Sequence, residues 1–319
     1  MLATVDFEAY PRQNMLPWLG AMEYWAECAA RHRIPCSFFI SLEDTVALRR
    51  DKPDSYAELK FHLKKLNDSG ARFYPHNHYL FDTETGGQPS RTGLPDRRPP
   101  GYSKRYSLFS DVVYTFGRNL PSWMKELRTC FEGIIRDAGC ELPNPLAFRA
   151  GGWDYGSSRD DLELYADSLL SAGFSVDSSA CGGSFGTPAW RVGADFGDNV
   201  FFLKGGLLEV APCWSLNCHA PEFFRSAARS LFRPDIKKML LSRGLGCFVP
   251  VIHFDHLFHT EKDGALTNFA LADPSSVKKR IANLFLALRL VRTLLRLECV
   301  TFEELANLMK NPIIRPPEK

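Results

Sequence analysis

The chain has 319 residues, of which 45% are hydrophobic and 24% charged, enough to bury a large core within one ordinary globular domain. A formal net charge of +2, with no Cys-x2-Cys pairs and no basic arrays, argues against a nucleic-acid partner. No apolar run is long enough to span a bilayer, and the strand-like start Leu2-Ala3-Thr4-Val5 leaves no room for a signal stretch. Nine scattered cysteines, an odd number, fit reduced, core-filling thiols better than a disulfide framework, so a cytoplasmic protein without a transmembrane segment is expected.

Strand-like and helix-like runs alternate along the chain. Apolar, β-branched or aromatic runs predict strands near 2–7, 36–42, 71–76, 145–150, 174–178, 207–212 and 247–254. Apolar residues at three- and four-residue spacings predict helices over roughly 17–33, 54–69, 121–138, 159–172, 221–242 and 274–297. Asp273-Pro274 reads as a helix start, and Gly70 and Gly173 follow predicted helix ends. About seven β/α units in a single domain spanning 1–319 imply parallel strands and favour a barrel, although an open doubly wound sheet has the same local pattern.

Residues 81–120 break the rhythm with Gly86-Gly87-Gln88-Pro89 and Arg97-Arg98-Pro99-Pro100-Gly101. This long insertion reads either as a lid or substrate-binding loop, with Arg91, Arg97, Arg98, Lys104 and Arg105 available to an anionic ligand, or as a solvated insertion. Tyr102, Tyr106, Phe109 and Tyr114 give its second half something to pack.

Chemistry-bearing residues gather at the carboxyl ends of the predicted strands, where barrel and open α/β enzymes keep their sites. The first strand ends in Thr4-Val5-Asp6-Phe7-Glu8, which puts two carboxylates on one strand face. A cation would relieve their repulsion, leaving one as ligand and one as base. The third strand runs into His76-Asn77-His78-Tyr79-Leu80-Phe81-Asp82, and His-x-His is a recurrent metal-ligand spacing. Two imidazoles and one carboxylate leave a coordination position for water. Phe148-Arg149-Ala150-Gly151-Gly152-Trp153 then delivers an arginine able to hold a carboxylate and a tryptophan able to stack on a sugar. Asp177 ends the next strand and would hold that arginine or cap the adjoining segment. Phe248-Val249-Pro250-Val251-Ile252-His253 brings up a histidine suited to general-acid work. His256 and His259 read as loop histidines.

The order of these motifs, across nearly the whole chain, resembles the polysaccharide deacetylases of the NodB-homology type, carbohydrate esterase family 4. The forms Thr-Val-Asp-Phe-Glu, His-Asn-His and Phe-Arg-Ala-Gly-Gly-Trp look closest to a divergent branch that includes WalW-like proteins associated with lipopolysaccharide synthesis. The resemblance implies a distorted (β/α)7 barrel and a divalent metal, zinc being the expected ion. It also implies removal of an N-acetyl or other acyl group from a sugar or glycan. Carried over, it makes Asp6 the base, His253 the acid, Arg149 the orienter of Asp6, and Asp177 the support of Arg149. Glu8, His76 and His78 become metal ligands, with Trp153, Tyr79 and Asp82 as substrate contacts. In that family the acids are adjacent and the histidines four apart. That difference leaves open whether both histidines ligate and whether Asp82 replaces one of them.

Two other enzyme and non-enzyme readings share these residues: a C–N hydrolase acting on a small amide or imide, and a carbohydrate-binding protein with degraded chemistry. Cys213, Cys218 and His219 match no structural zinc spacing. The helix after Asp273 has an apolar face (Ile281, Leu284, Phe285, Leu288, Val291, Leu295) and basic residues (Arg289, Arg292, Arg296). It suits packing on the barrel or peripheral contact with a membrane that carries a lipid-linked substrate.

Overall fold

The computed structural model describes residues 1–7, 16–95, 97–100, 107–179, 200–212, 214–216, 247, 249–253, 259–260, 270–271, 273–294 and 296–310, without the side chains at 16–19, 153, 204, 214–216, 253, 259–260, 270–271 and 294. The predicted helix over 221–242, and Glu8, Lys104, Arg105, Cys213, Cys218, His219, His256 and Leu295, lie outside the described residues.

Each of the seven predicted strand regions contains a strand: β1 Ala3–Phe7, β2 Cys36–Ser41, β3 Arg72–Asn77, β4 Ala147–Ala150, β5 Val176–Asp177, β7 Leu208–Val210 and β9 Pro250–His253. Two unpredicted strands, β6 Val200–Phe202 and β8 Trp214–Leu216, extend the sheet to nine, in the order β6-β7-β5-β4-β3-β2-β1-β9-β8. Every neighbouring pair is parallel except β6 and β7. The helices are α1 Leu16–His32, α2 Leu42–Asp51, α3 Pro53–Asp68, α4 Leu120–Asp137, α5 Arg159–Ser171, α6 Pro274–Leu294 and α7 Phe302–Lys310.

The sheet is curled. Strands β4 and β1 are separated by β3 and β2, a span of about 14 Å across a flat sheet. Yet the Arg149 guanidinium on β4 bonds Thr4 and Asp6 on β1 and lies 3.9 Å from the Phe39 ring centroid on β2. An arginine side chain bridges that span only if the strands bend around it. The fold is thus an α/β half-barrel with a concave inner face, and among the described residues it is open between β6 and β8.

The period of two along each strand divides the residues between two environments. Thr4, Asp6, Phe39, Tyr74, His76 and Arg149 form the inner layer, as their mutual contacts require. Phe38 and Phe73 face outward, where Trp25 of α1 meets Phe38 edge-on with centroids 6.0 Å apart. α6 lies on α1 through Phe285, 5.0 Å from Trp25, and Ile281, Leu284, Phe285, Leu288 and Val291 are all buried. Packing therefore accounts for the apolar stripe of this helix. None of the described helices is long and apolar enough to cross a membrane. Inside the sheet, Phe302 of α7 stacks edge-on against Phe39 and Tyr74.

Local signals explain the two helices absent from the sequence expectation. Ser41 ends β2 and caps α2, its hydroxyl donating to the Asp44 carboxylate at 2.9 Å and accepting the Asp44 N–H. At α7 the Glu304 carboxylate accepts the Thr301 backbone N–H while the Thr301 hydroxyl oxygen accepts the Glu304 N–H, a capping box. The six described cysteines are free thiols, and burial pushes the Cys36 thiol up to about 12.

Among the described residues of the 81–120 insertion, Leu108, Phe109, Val112 and Tyr114 in its second half are buried. Residues 108–115 are helical, with a π-helical stretch over Ser110–Thr115. Arg91, expected to be available to a ligand, instead pairs with the buried Asp111 at 3.0 Å, and Asp111 also accepts the Leu80 N–H. Arg97 lies directly over Gly117, where a Cβ would meet its guanidinium.

Phe38, fully buried between Trp25 and Phe73, tests this packing. Phe38→Ala is expected to cost about 3–5 kcal/mol, read as a lower urea midpoint at unchanged slope.

Candidate active site at the carboxyl ends of the strands

Arg149 organises the site. It is 0% exposed, and three of its nitrogens make four hydrogen bonds. Nη1 donates to Asp6 Oδ1 at 2.5 Å, Nη2 to Thr4 Oγ1 at 3.0 Å and to Ser178 Oγ at 2.9 Å, and Nε to the Ser178 carbonyl at 3.1 Å. Thr4 and Ser178 pass their own protons on to the carbonyls of Pro250 and Val210. A buried guanidinium is tolerable only when so fully engaged, because removing an ion from water costs several kcal/mol. The Phe39 ring covers one face of the cation.

The same residue fixes the first histidine. In register, His76 on β3 stands beside Arg149 on β4, and the His76 Nδ1–H donates to the Arg149 carbonyl at 2.9 Å. That assignment leaves His76 Nε2 as the lone-pair nitrogen, and it lies 3.0 Å from Nε2 of His78. Two imidazole nitrogens on one tetrahedral zinc stand about 3.3 Å apart at normal bond lengths, so the pair has the spacing and donor type of an imidazole-rich site. A carbonyl behind the ligating ring is the usual way such a tautomer is set. Gly151 makes room for His78: a Cβ there would lie 2.4 Å from the ring Cγ and 2.5 Å from the His78 Cα. Among the described residues no third histidine, cysteine or carboxylate completes a metal cluster with the pair. Glu8, the expected third ligand, lies outside them.

His253 ends β9 in direct register with Asp6 on β1. Its side chain and that of Trp153 lie outside the described atoms. Tyr79 is partly buried, and burial followed by the nearby Glu43 and Asp44 carboxylates pushes its hydroxyl up.

Two expectations take a different form. Asp177 does not hold Arg149. It points to the opposite, helix-facing side of β5, where it accepts from Tyr165 at 3.1 Å and Ser179 at 2.6 Å and lies against Glu209. The supporting residue is its neighbour Ser178, which the period of two turns inward; Asp177 reaches the site only through Ser179, whose hydroxyl accepts the Ala150 N–H. Asp82 does not join the histidines either. Exposed, it accepts the N–H groups of Glu84 and Thr85, and it lines a polar groove of about 470 Å³ with Gln88, Arg118 and Glu126.

Sequence reasoning missed Thr4, Ser178 and Glu43. Thr4 was hinted at only by sharing a strand face with Asp6, and Ser178 by following Asp177 at a strand end; Glu43 sits in a helix that was not expected.

No protein-family model matches the chain, and no curated protein sequence matches it. Solved structures resemble it in part. A candidate polysaccharide deacetylase from Mycobacterium smegmatis is 11% identical, with 97% of this chain and 90% of that chain covered at a TM-score of 0.49. A family 4 carbohydrate esterase from Streptomyces lividans, in complex with acetate, is 10% identical over 90% and 86% at 0.35. PuuE allantoinase is 10% identical over 98% and 90% at 0.42. Likeness at this level assigns no activity.

Two measurements probe the site. Arg149→Met strands a buried carboxylate and should cost about 3–5 kcal/mol, whereas adding Asp6→Asn to it should recover part of the loss in thermal melts. For Asp177, burial pushes the carboxyl up against the opposing hydrogen bonds. A raised acid contributes its full stability below the unfolded value of about 3.9 and loses it as pH climbs through the folded value. The Asp177→Asn melting temperature should therefore gain on wild type as pH rises from about 4 to 7; a constant gap would refute the shift.

Proposed function

We propose that the chain is a metal-dependent hydrolase that removes an N-linked acyl group, acetate foremost, from a sugar or glycan, in the manner of the NodB-type deacetylases its motifs resemble. The observation that carries this reading is the hydrogen-bonded run from Asp6 through Arg149 to His76 and His78. It links a fixed carboxylate to two convergent imidazoles on one concave face.

When bound by His76, His78 and the further ligand Glu8, a zinc ion would supply Lewis acidity toward water and the acyl carbonyl. The chain's own residues do the rest. Arg149 holds Oδ1 of Asp6, so the carboxylate is oriented to take a proton from the attacking water. The Arg149 carbonyl keeps the His76 proton on Nδ1 and its lone pair on Nε2. His253, beside Asp6 in register, gives its proton to the departing amine nitrogen. Trp153 and Tyr79 offer aromatic faces to the sugar.

The test is acetate release from a panel of N-acetylated glycans, with metal content measured alongside. Wild type should turn over; Asp6→Asn and His253→Ala should keep the metal and lose about 10²–10⁴-fold in rate, and His76→Ala should lose the metal. Metal-loaded wild type that releases no acetate, yet binds sugar as well as Asp6→Asn does, would make the chain a binding protein.

A further inference from the structure

His78 is the less secured of the two imidazoles by position, since it lies one residue beyond the end of β3 and no strand pairing holds it. Something else must fix its backbone. Glu43, in the first turn of α2, reaches across: Oε1 accepts the His78 backbone N–H at 2.8 Å, and Oε2 accepts Asn77 Nδ2 at 2.8 Å. Asn77 Nδ2 donates a second time, to the Tyr79 carbonyl at 3.0 Å. One carboxylate thus grips three consecutive residues, 77, 78 and 79, directly or through Asn77.

The burial of this group calls for an explanation. Glu43 is 2% exposed, and no salt bridge to it occurs among the described residues. Its charge is met by two N–H donors and by the amino end of α2, which favours an anion. For helix stability alone an exposed glutamate would serve as well. The geometry is selective in another respect: Asn77 faces outward and His78 inward, so a bond to the His78 N–H from the helix side sets where the imidazole emerges without occupying the concave face.

We infer that Glu43 is a positioning residue, a clamp on the His76-Asn77-His78 segment that holds the His78 imidazole against His76 and so sets the donor pair for the ion. The inference rests on the reading of these histidines as metal-holding, and acts through His78 rather than on substrate. Removing the clamp should free the backbone at 78 and let the two Nε2 atoms part, while the barrel core stays intact.

The experiment reads His78 directly, without substrate. In metal-free protein, amide hydrogen exchange at His78 and the imidazole resonances of His76, His78 and His62, the last on α3 against Glu23 and Glu58, are compared in wild type, Glu43→Leu and Glu43→Gln. Glu43→Leu should exchange at His78 about tenfold faster or more and shift the His78 ring resonances but not those of His62. Glu43→Gln, which keeps one acceptor for the His78 N–H, should lie between. Zn2+ affinity by titration with the metal alone should fall in the same order. Unchanged protection and ring resonances at His78 in Glu43→Leu would overturn the inference. Should Glu43→Leu not fold, the same comparison with Glu43→Gln decides it, an unmoved His78 N–H resonance being the negative result. Loss of the His78 signature in a protein that never releases acetate would retain the clamp and discard the hydrolase.

Discussion

A charged guanidinium at the centre of the concave face is the constraint on which the rest of the site depends. Arg149 cannot be left partly satisfied in so dry a place, so Thr4 and Asp6 from β1, three strands away, and Ser178 from the end of the adjacent β5 must all come within bonding distance. That demand forces β1, β4 and β5 toward one another and ties the curl of the sheet to the chemistry at its rim. Its main chain meanwhile orients His76 through the carbonyl. One residue therefore couples the acid side of the site to the histidine side, and a shift in either is felt by the other.

Alternation along the strands decides which residues take part. Successive side chains on β3 send His76 to the concave face and Asn77 to α2 and Glu43. On β5 and its continuation, Asp177 and Ser179 serve the layer beneath α5, and Ser178 alone turns in to Arg149. The outward residues are not idle: Ser179 accepts the Ala150 N–H and so steadies the strand end that carries Arg149. Buried polar groups on the outer face thus support those on the inner one, and the low-dielectric interior makes an orphaned donor expensive.

Much of this was legible in the sequence. All seven strands expected from apolar runs are present, because such runs with carboxyl-terminal polar residues are what a parallel sheet buried on both sides requires. Asp6, Arg149, His76 and His78 could be placed at strand ends, and His253 beside Asp6 follows from the register. What the pattern could not convey was which neighbour of a strand-end acid turns inward: a shift of one residue in the end of β5 exchanges Asp177 for Ser178, and strand ends are where periodicity is least binding. α2 escaped because it follows β2 with no intervening loop, so its capping serine reads as part of the strand. Asp82 was drawn to the histidines by proximity in sequence, whereas a four-residue turn claims its carboxylate for backbone N–H groups.

The stitching of β1 to the far end of the chain bears on how the molecule assembles. The Met1 carbonyl accepts the Val300 N–H, the Met1 amino group reaches the Glu298 carbonyl, and Phe302 plugs the sheet against Phe39 and Tyr74. The first strand lies inside the sheet, between β2 and β9, and must wait on β9 and on α7, which follow it far along the chain. Half of the barrel can form early around β2, β3 and β4, but its floor stays open until then, so late, long-range closure rather than local helix formation is expected to limit folding.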